Sequence, residues 1–262
     1  MRSAHRFITA AVLLSLVAAH AFAKPAIVSI DELRASEQQR QAALIITQVM
    51  EKFHYRKPRL DDEMSTAMFD RYVKSLDTNR SFYHARDIAE FERYRDTLDD
   101  SLRTGKLDPA YVIFRRFRER VEERVEYAQA LLAAGDFDFA VDEEYRFDRS
   151  EAEWPADTHA LNDLWRKRVK NDILSLRLAG KAADEINETL SKRYAGIARR
   201  VAQMEPEDVF QAYINAFTLS VEPHTSYMSP RLSENFDIGM RLSLQGIGAV
   251  LRSDNEFTEV QS

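Results

Sequence analysis

The chain has 262 residues, 45% of them hydrophobic and 31% charged, with a formal net charge of −6. Its positive and negative residues are interspersed, which describes an ordinary solvated surface and argues against a nucleic-acid partner. It has no cysteine, so disulfides and lipidation at a leader cysteine are excluded, and a hydrophobic core must hold an exported form together.

Arg2, His5 and Arg6 precede an uncharged apolar run, Phe7 to Ala19, and Ala21-Phe22-Ala23 supplies small residues at the positions a signal peptidase reads. The run is too short to span a bilayer, so residues 1–23 are expected to be a cleaved secretory signal, leaving Lys24 first. Loss of Arg2 and Arg6 takes the net charge from −6 to −8.

From Ser36 to about Ser220 the dominant period is helical, and residues 24–220 are expected to form a multi-helix domain. Ser36 followed by Gln39 fits a capping box, and Ile45, Ile46, Val49, Met50 and Phe53 then mark one apolar face. Phe69, Tyr72, Val73 and Leu76 mark a second helix, and Ile88, Phe91, Tyr94 and Leu98 a third. The fourth is the longest. Pro109 lies near its start, Phe114, Phe117, Val121, Val125, Ala128 and Leu132 recur at steps of three and four, and Gly135 follows its end.

Residues 137–157 are acidic and aromatic without a clear period, and are expected to be an ordered irregular connection packed on the bundle. A fifth helix spans about His159 to Leu178, with Leu161, Trp165, Val169, Ile173 and Leu176 inward and Gly180 as its stop. Ile186, Leu190, Tyr194, Ile197 and Val201 mark a sixth. Pro206 opens a seventh, whose inward side is Val209, Phe210, Tyr213, Ile214 and Phe217. Residues 221–241 read as a linker, and from Leu242 short apolar runs broken by glycine suggest a strand. The fold class is therefore mainly α.

Catalytic and metal-binding patterns are sparse. His54, His84, His159 and His224 lack a second ligand at a recognised metal spacing, so no metal or cofactor is expected. Asp61-Asp62 and Asp99-Asp100 sit near helix ends, where carboxylates serve capping. Arg115, Arg116, Arg118, Arg120 and Arg124 alternate with Glu119, Glu122 and Glu123 at three- and four-residue spacings, which predicts a salt-bridged outer face. One segment carries a binding mechanism. In Gly246-Ile247-Gly248-Ala249 two glycines let consecutive N–H groups converge on an anion ahead of a strand edge, the means by which a PDZ domain takes a peptide carboxylate.

Several motifs in order resemble the tail-specific proteases, a family of carboxy-terminal processing serine peptidases. Glu222-Pro223-His224-Thr225-Ser226-Tyr227-Met228-Ser229-Pro230 is similar to the family's Asp-Pro-His-Thr-x-Tyr-Leu-Ser-Pro, with Glu222 in place of Asp and Met228 in place of Leu. Ser243 to Leu251 resembles the start of its PDZ domain, and Phe147-Asp148-Arg149-Ser150, Trp154-Pro155, Leu164-Trp165 and Glu207-Asp208-Val209-Phe210 resemble its helical domain. The resemblance implies a periplasmic endopeptidase acting on proteins with apolar C-terminal tails. It also implies a serine nucleophile with a lysine base downstream of the PDZ domain, and a lipoprotein adaptor as partner. No residue of this chain matches the catalytic motifs, so none is assigned a catalytic role. Gly246, Ile247, Gly248 and Ala249 are carried over as substrate-binding residues. The expectation is a helical N-terminal domain, a linker and, over 242–262, the truncated start of a PDZ domain, inactive by itself. A free-standing periplasmic adaptor or scaffold is the alternative.

Overall fold

A computed structural model describes residues 27–241, 250–254 and 257–261. The expected signal segment, residues 1–23, and the loop Gly246 to Ala249 lie outside the described residues. Residues 28–230 form one compact unit, and residues 231 onward fall outside it.

Eight helices build that unit: α1 (Glu37–Phe53), α2 (Asp62–Leu76), α3 (Ala85–Phe91), α4 (Leu98–Thr104), α5 (Asp108–Ala134), α6 (Thr158–Leu178), α7 (Ala183–Ala202) and α8 (Pro206–Val221). Their starts follow from side-chain caps. The Gln39 amide donates to Ser36 Oγ at 3.2 Å and the Ser36 amide to Gln39 Oε1 at 2.9 Å, completing the capping box. Asp61 and Asp157 accept from the Met64 and Ala160 amides in the same way. Gly135 ends α5 at φ 63°, a left-handed position that costs glycine nothing.

Helix α5 is the axis of the core. Phe114, Phe117, Val121, Val125, Ala128 and Leu132 are all buried along it, and it packs chiefly on α7 and α6, while α2 packs chiefly on α8. Aromatic tips reach backbone carbonyls instead of going unpaired. Tyr72 and Tyr83 donate to the Ala110 and Ile113 carbonyls at 2.9 Å, and Trp165 Nε1 to that of Ser81 at 2.6 Å.

Three features depart from the sequence reading. Helix α1 turns Gln39, Ala43, Thr47 and Met50 inward, while Ile45, Val49 and Phe53 are 62%, 48% and 79% exposed. The apolar residues of α1 cover a wider arc than its packing seam. The third helix is broken: α3 passes through a 3₁₀ turn, Glu92–Tyr94, before α4 begins at Leu98. The stretch assigned to a linker contains helix α9 (Pro230–Arg241), opened by proline and apolar at Leu232, Phe236 and Met240. Residues 137–157 are irregular and rest Phe137, Phe139 and Trp154 against the core, as expected.

Beyond α9, strands β1 (Val250–Asp254) and β2 (Phe257–Gln261) pair antiparallel, from Val250 opposite Gln261 to Asp254 opposite Phe257.

Candidate functional site

Helix α8 ends at Val221, and residues 222–229 then fold back along it. Proline at 223 favours ending the helix, and Glu222 is already extended at φ −163°. Its carboxylate organises the reversal. It accepts from the His224 amide at 3.0 Å, from the Thr225 hydroxyl at 3.0 Å, and lies 2.7 Å from His224 Nδ1. Hydrogen bonding from His224 holds the Glu222 carboxyl below its ordinary range.

Three side chains on α8 then hold this returning strap, residues 222–229. Asn215 grips Tyr227 on both sides, accepting from its amide at 2.7 Å and donating to its carbonyl at 3.1 Å. Gln211 accepts from the Ser229 amide at 3.0 Å, and Glu207 accepts from the Tyr227 hydroxyl at 3.1 Å. Residues 207, 211 and 215 are four apart, which places them in one row on the helix surface. The row continues into the core. Gln39 donates to Glu207 at 2.9 Å, and the buried Tyr111 hydroxyl donates to Gln39 at 3.0 Å. Burial, with the Glu207 carboxylate beside it, pushes the Tyr227 phenol up to about 12. The Tyr227 ring meets Phe210 edge-on at 5.4 Å.

The end of α1 closes the turn from the other side. His54 Nε2 lies 3.1 Å from Thr225 Oγ1, and Arg56 donates to the Val221 carbonyl at 3.1 Å. His54 Nδ1 accepts from the Arg56 amide, which fixes the tautomer with the proton on Nε2 and makes Thr225 the acceptor. His84 instead caps α3. A groove of about 390 Å³ beside the strap carries Arg200, Asp208 and Gln211 but no nucleophile with a base. Among the described residues no group of three or more His, Asp or Glu is placed to hold a metal.

Three of the five arginines of α5 form ion pairs, while Arg124 donates to Asn162 instead. Arg116 takes Glu119, Arg118 takes Glu122 and Arg120 takes Glu123, whereas Arg115 donates to the Leu33 carbonyl. Arg118 and Arg124 are buried, so the face is not wholly an outer one. Arg116 and Arg120 also converge on fully buried Asp87 at 2.7 and 2.8 Å. Burial alone would raise that carboxyl, and the hydrogen bonds from Arg120 and Arg116 more than offset it and hold it low.

Residues 46–231 match the family described as the tail specific protease N-terminal domain. The chain belongs to this family. The matched stretch of the tail-specific protease N-terminal domain ends one residue beyond Pro230, where the compact unit also closes. The tail-specific protease of Haemophilus influenzae is 38% identical over 240 residues, covering 91% of this chain and 34% of that relative. The chain thus spans about a third of that relative's length. Within the domain, the strap of residues 222–229 is legible as a motif, and its partner Glu207 falls in the motif Glu207-Asp208-Val209-Phe210, whereas Gln211 and Asn215 are not singled out. The available signal was three polar residues at steps of four on the seventh helix, off its apolar stripe.

Proposed function

We propose that this chain is the N-terminal helical region of a periplasmic tail-specific serine endopeptidase that degrades proteins with apolar C-terminal tails. The family match over residues 46–231 carries the reading. Residues 1–23 serve as a cleaved export signal. Gly246, Ile247, Gly248 and Ala249 open the loop that takes a substrate's terminal carboxylate, and the hairpin of β1 and β2 belongs to the same PDZ domain. The serine and lysine of the reaction lie outside these 262 residues, which are silent by themselves. A neutral lysine amine takes the serine proton where its surroundings depress its pKa. The helical unit supplies a docking surface for a lipoprotein adaptor, and the strap sets where the chain leaves that unit.

A chimera tests this. Residues 28–230 replace the matching region of the Haemophilus influenzae relative, and a folded reporter with an apolar C-terminal tail is the substrate. The expected result is degradation that fails when the tail is made charged. A folded chimera that does not distinguish the two tails contradicts the reading. The unfused chain is expected to leave the same reporter intact, and amino-terminal sequencing of exported material is expected to begin at Lys24.

A further inference from the structure

The outward face of α1 is unusual for a helix surface. Ile45, Val49 and Phe53 lie at steps of four and are 62%, 48% and 79% exposed, and Tyr55 just beyond is 73% exposed. Their neighbours on that face, Gln41 one turn before Ile45 and Gln48 beside Val49, are exposed and uncharged. Charge appears only at the two ends. Glu37 opens the helix and Lys52 lies in its last turn, and among the described residues neither forms an ion pair; Glu37 accepts from Gln41. The two are 15 residues apart, about 22 Å along the axis, and Ile45 stands near the midpoint.

That arrangement is self-complementary. A twofold axis through Ile45, perpendicular to the helix, sets one copy antiparallel to the other. It brings Ile45 against Ile45, Gln41 beside Val49, and Glu37 toward Lys52 at both ends. In an antiparallel pair, flanking positions on the same side of the stripe face each other. Glu37 and Lys52 both lie on the side of the stripe away from Phe53. Opposite charges therefore meet instead of like ones, and symmetry provides each pair twice. Parallel pairing would set Glu37 beside Glu37 and Lys52 beside Lys52.

We propose that the outward stripe of α1 docks a second copy of this chain, as an antiparallel helix pair centred on Ile45. One helix-on-helix contact is smaller than the ~800 Å² per partner of a standard interface, so the dimer is weak, with Kd on the order of 10 μM. The role is independent of proteolysis.

Sedimentation equilibrium of the chain from Lys24 onward, from 1 to 200 μM, tests it. The average mass is expected to rise with concentration from that of one chain toward twice that value. Ile45→Lys is expected to stay at the mass of one chain throughout, with its helical circular dichroism unchanged because the site is exposed. Glu37→Lys and Lys52→Glu should each raise Kd about tenfold, and the double exchange should restore it. Ile45→Cys should give a disulfide-linked dimer on oxidation. A wild-type mass that stays constant with concentration overturns the proposal. So does a dimer that survives Ile45→Lys, or a double exchange no better than the single ones.

Discussion

Two irregular segments cross the helical unit, and different forces hold them. Residues 137–157 rest three aromatic side chains on the core and are fastened over α6 by charge. Glu143 accepts from Arg166 and Lys170 at 2.5 Å, Arg177 and Lys170 stack on Phe139, and Lys74 pairs with Glu151. Residues 222–229 lie along α8; Glu222, His54 and Arg56 set the turn, and from Tyr227 to Ser229 the holding groups are the neutral amides of Asn215 and Gln211 with the Glu207 carboxylate on the Tyr227 hydroxyl. Neutral hydrogen bonds are directional and insensitive to salt, whereas partly exposed ion pairs tolerate sliding and weaken with it. The difference suggests a fastened cover in the first case and a fixed exit in the second.

The comparison is broken most severely at Tyr227. Tyr227→Ala removes the ring on Phe210 and the bond to Glu207, leaving that carboxylate with one donor fewer, and is expected to cost about 3 kcal/mol by chemical denaturation. Tyr227→Phe isolates the hydroxyl and should cost about 1 kcal/mol. Either should loosen residues 222–229 while leaving 137–157 as they are.

Glu143→Gln should do the reverse. It leaves buried Lys170 and half-buried Arg166 without their carboxylate and is expected to cost about 1–2 kcal/mol, with faster proteolytic nicking between residues 139 and 147. Acid sharpens the same contrast. Hydrogen bonding from Arg166, then from Lys170, holds the Glu143 carboxyl at about 2. A carboxyl depressed on folding contributes stability that is complete above its unfolded pKa of about 4.3 and is lost as pH falls toward the folded value. Nicking at 139–147 should therefore rise between pH 4.5 and 2. The smallest effect is that of salt. Raising it from 0.05 to 1 M should accelerate the same nicking a few-fold and leave residues 227–229 unchanged.

Much of this was readable in the residues. The α5 stripe, the Ser36–Gln39 box and the glycine after α5 are local signals, and the structure carries each one. What escaped depends on distant partners. Nothing in residues 37–53 says that the polar edge at Gln39 faces inward, because its partners Tyr111 and Glu207 lie 72 and 168 residues away. The break after Phe91 is equally silent, since Ser65, from α2, takes the Leu98 amide at 2.8 Å. The row 207–211–215 was visible as spacing, but only the fold-back of the chain gives it something to hold. The expected carboxylate loop, Gly246 to Ala249, lies outside the described residues.

The fixed exit is tested most directly by residue-resolved hydrogen exchange at the Tyr227 and Ser229 amides. The account predicts protection close to that of α8 in the wild-type chain. In Asn215→Ala, Tyr227 should exchange about a hundredfold faster while the amides of α8 and of residues 137–157 keep their rates. Exchange at Tyr227 as fast as in an unfolded peptide, or no change on losing the Asn215 side chain, would contradict it.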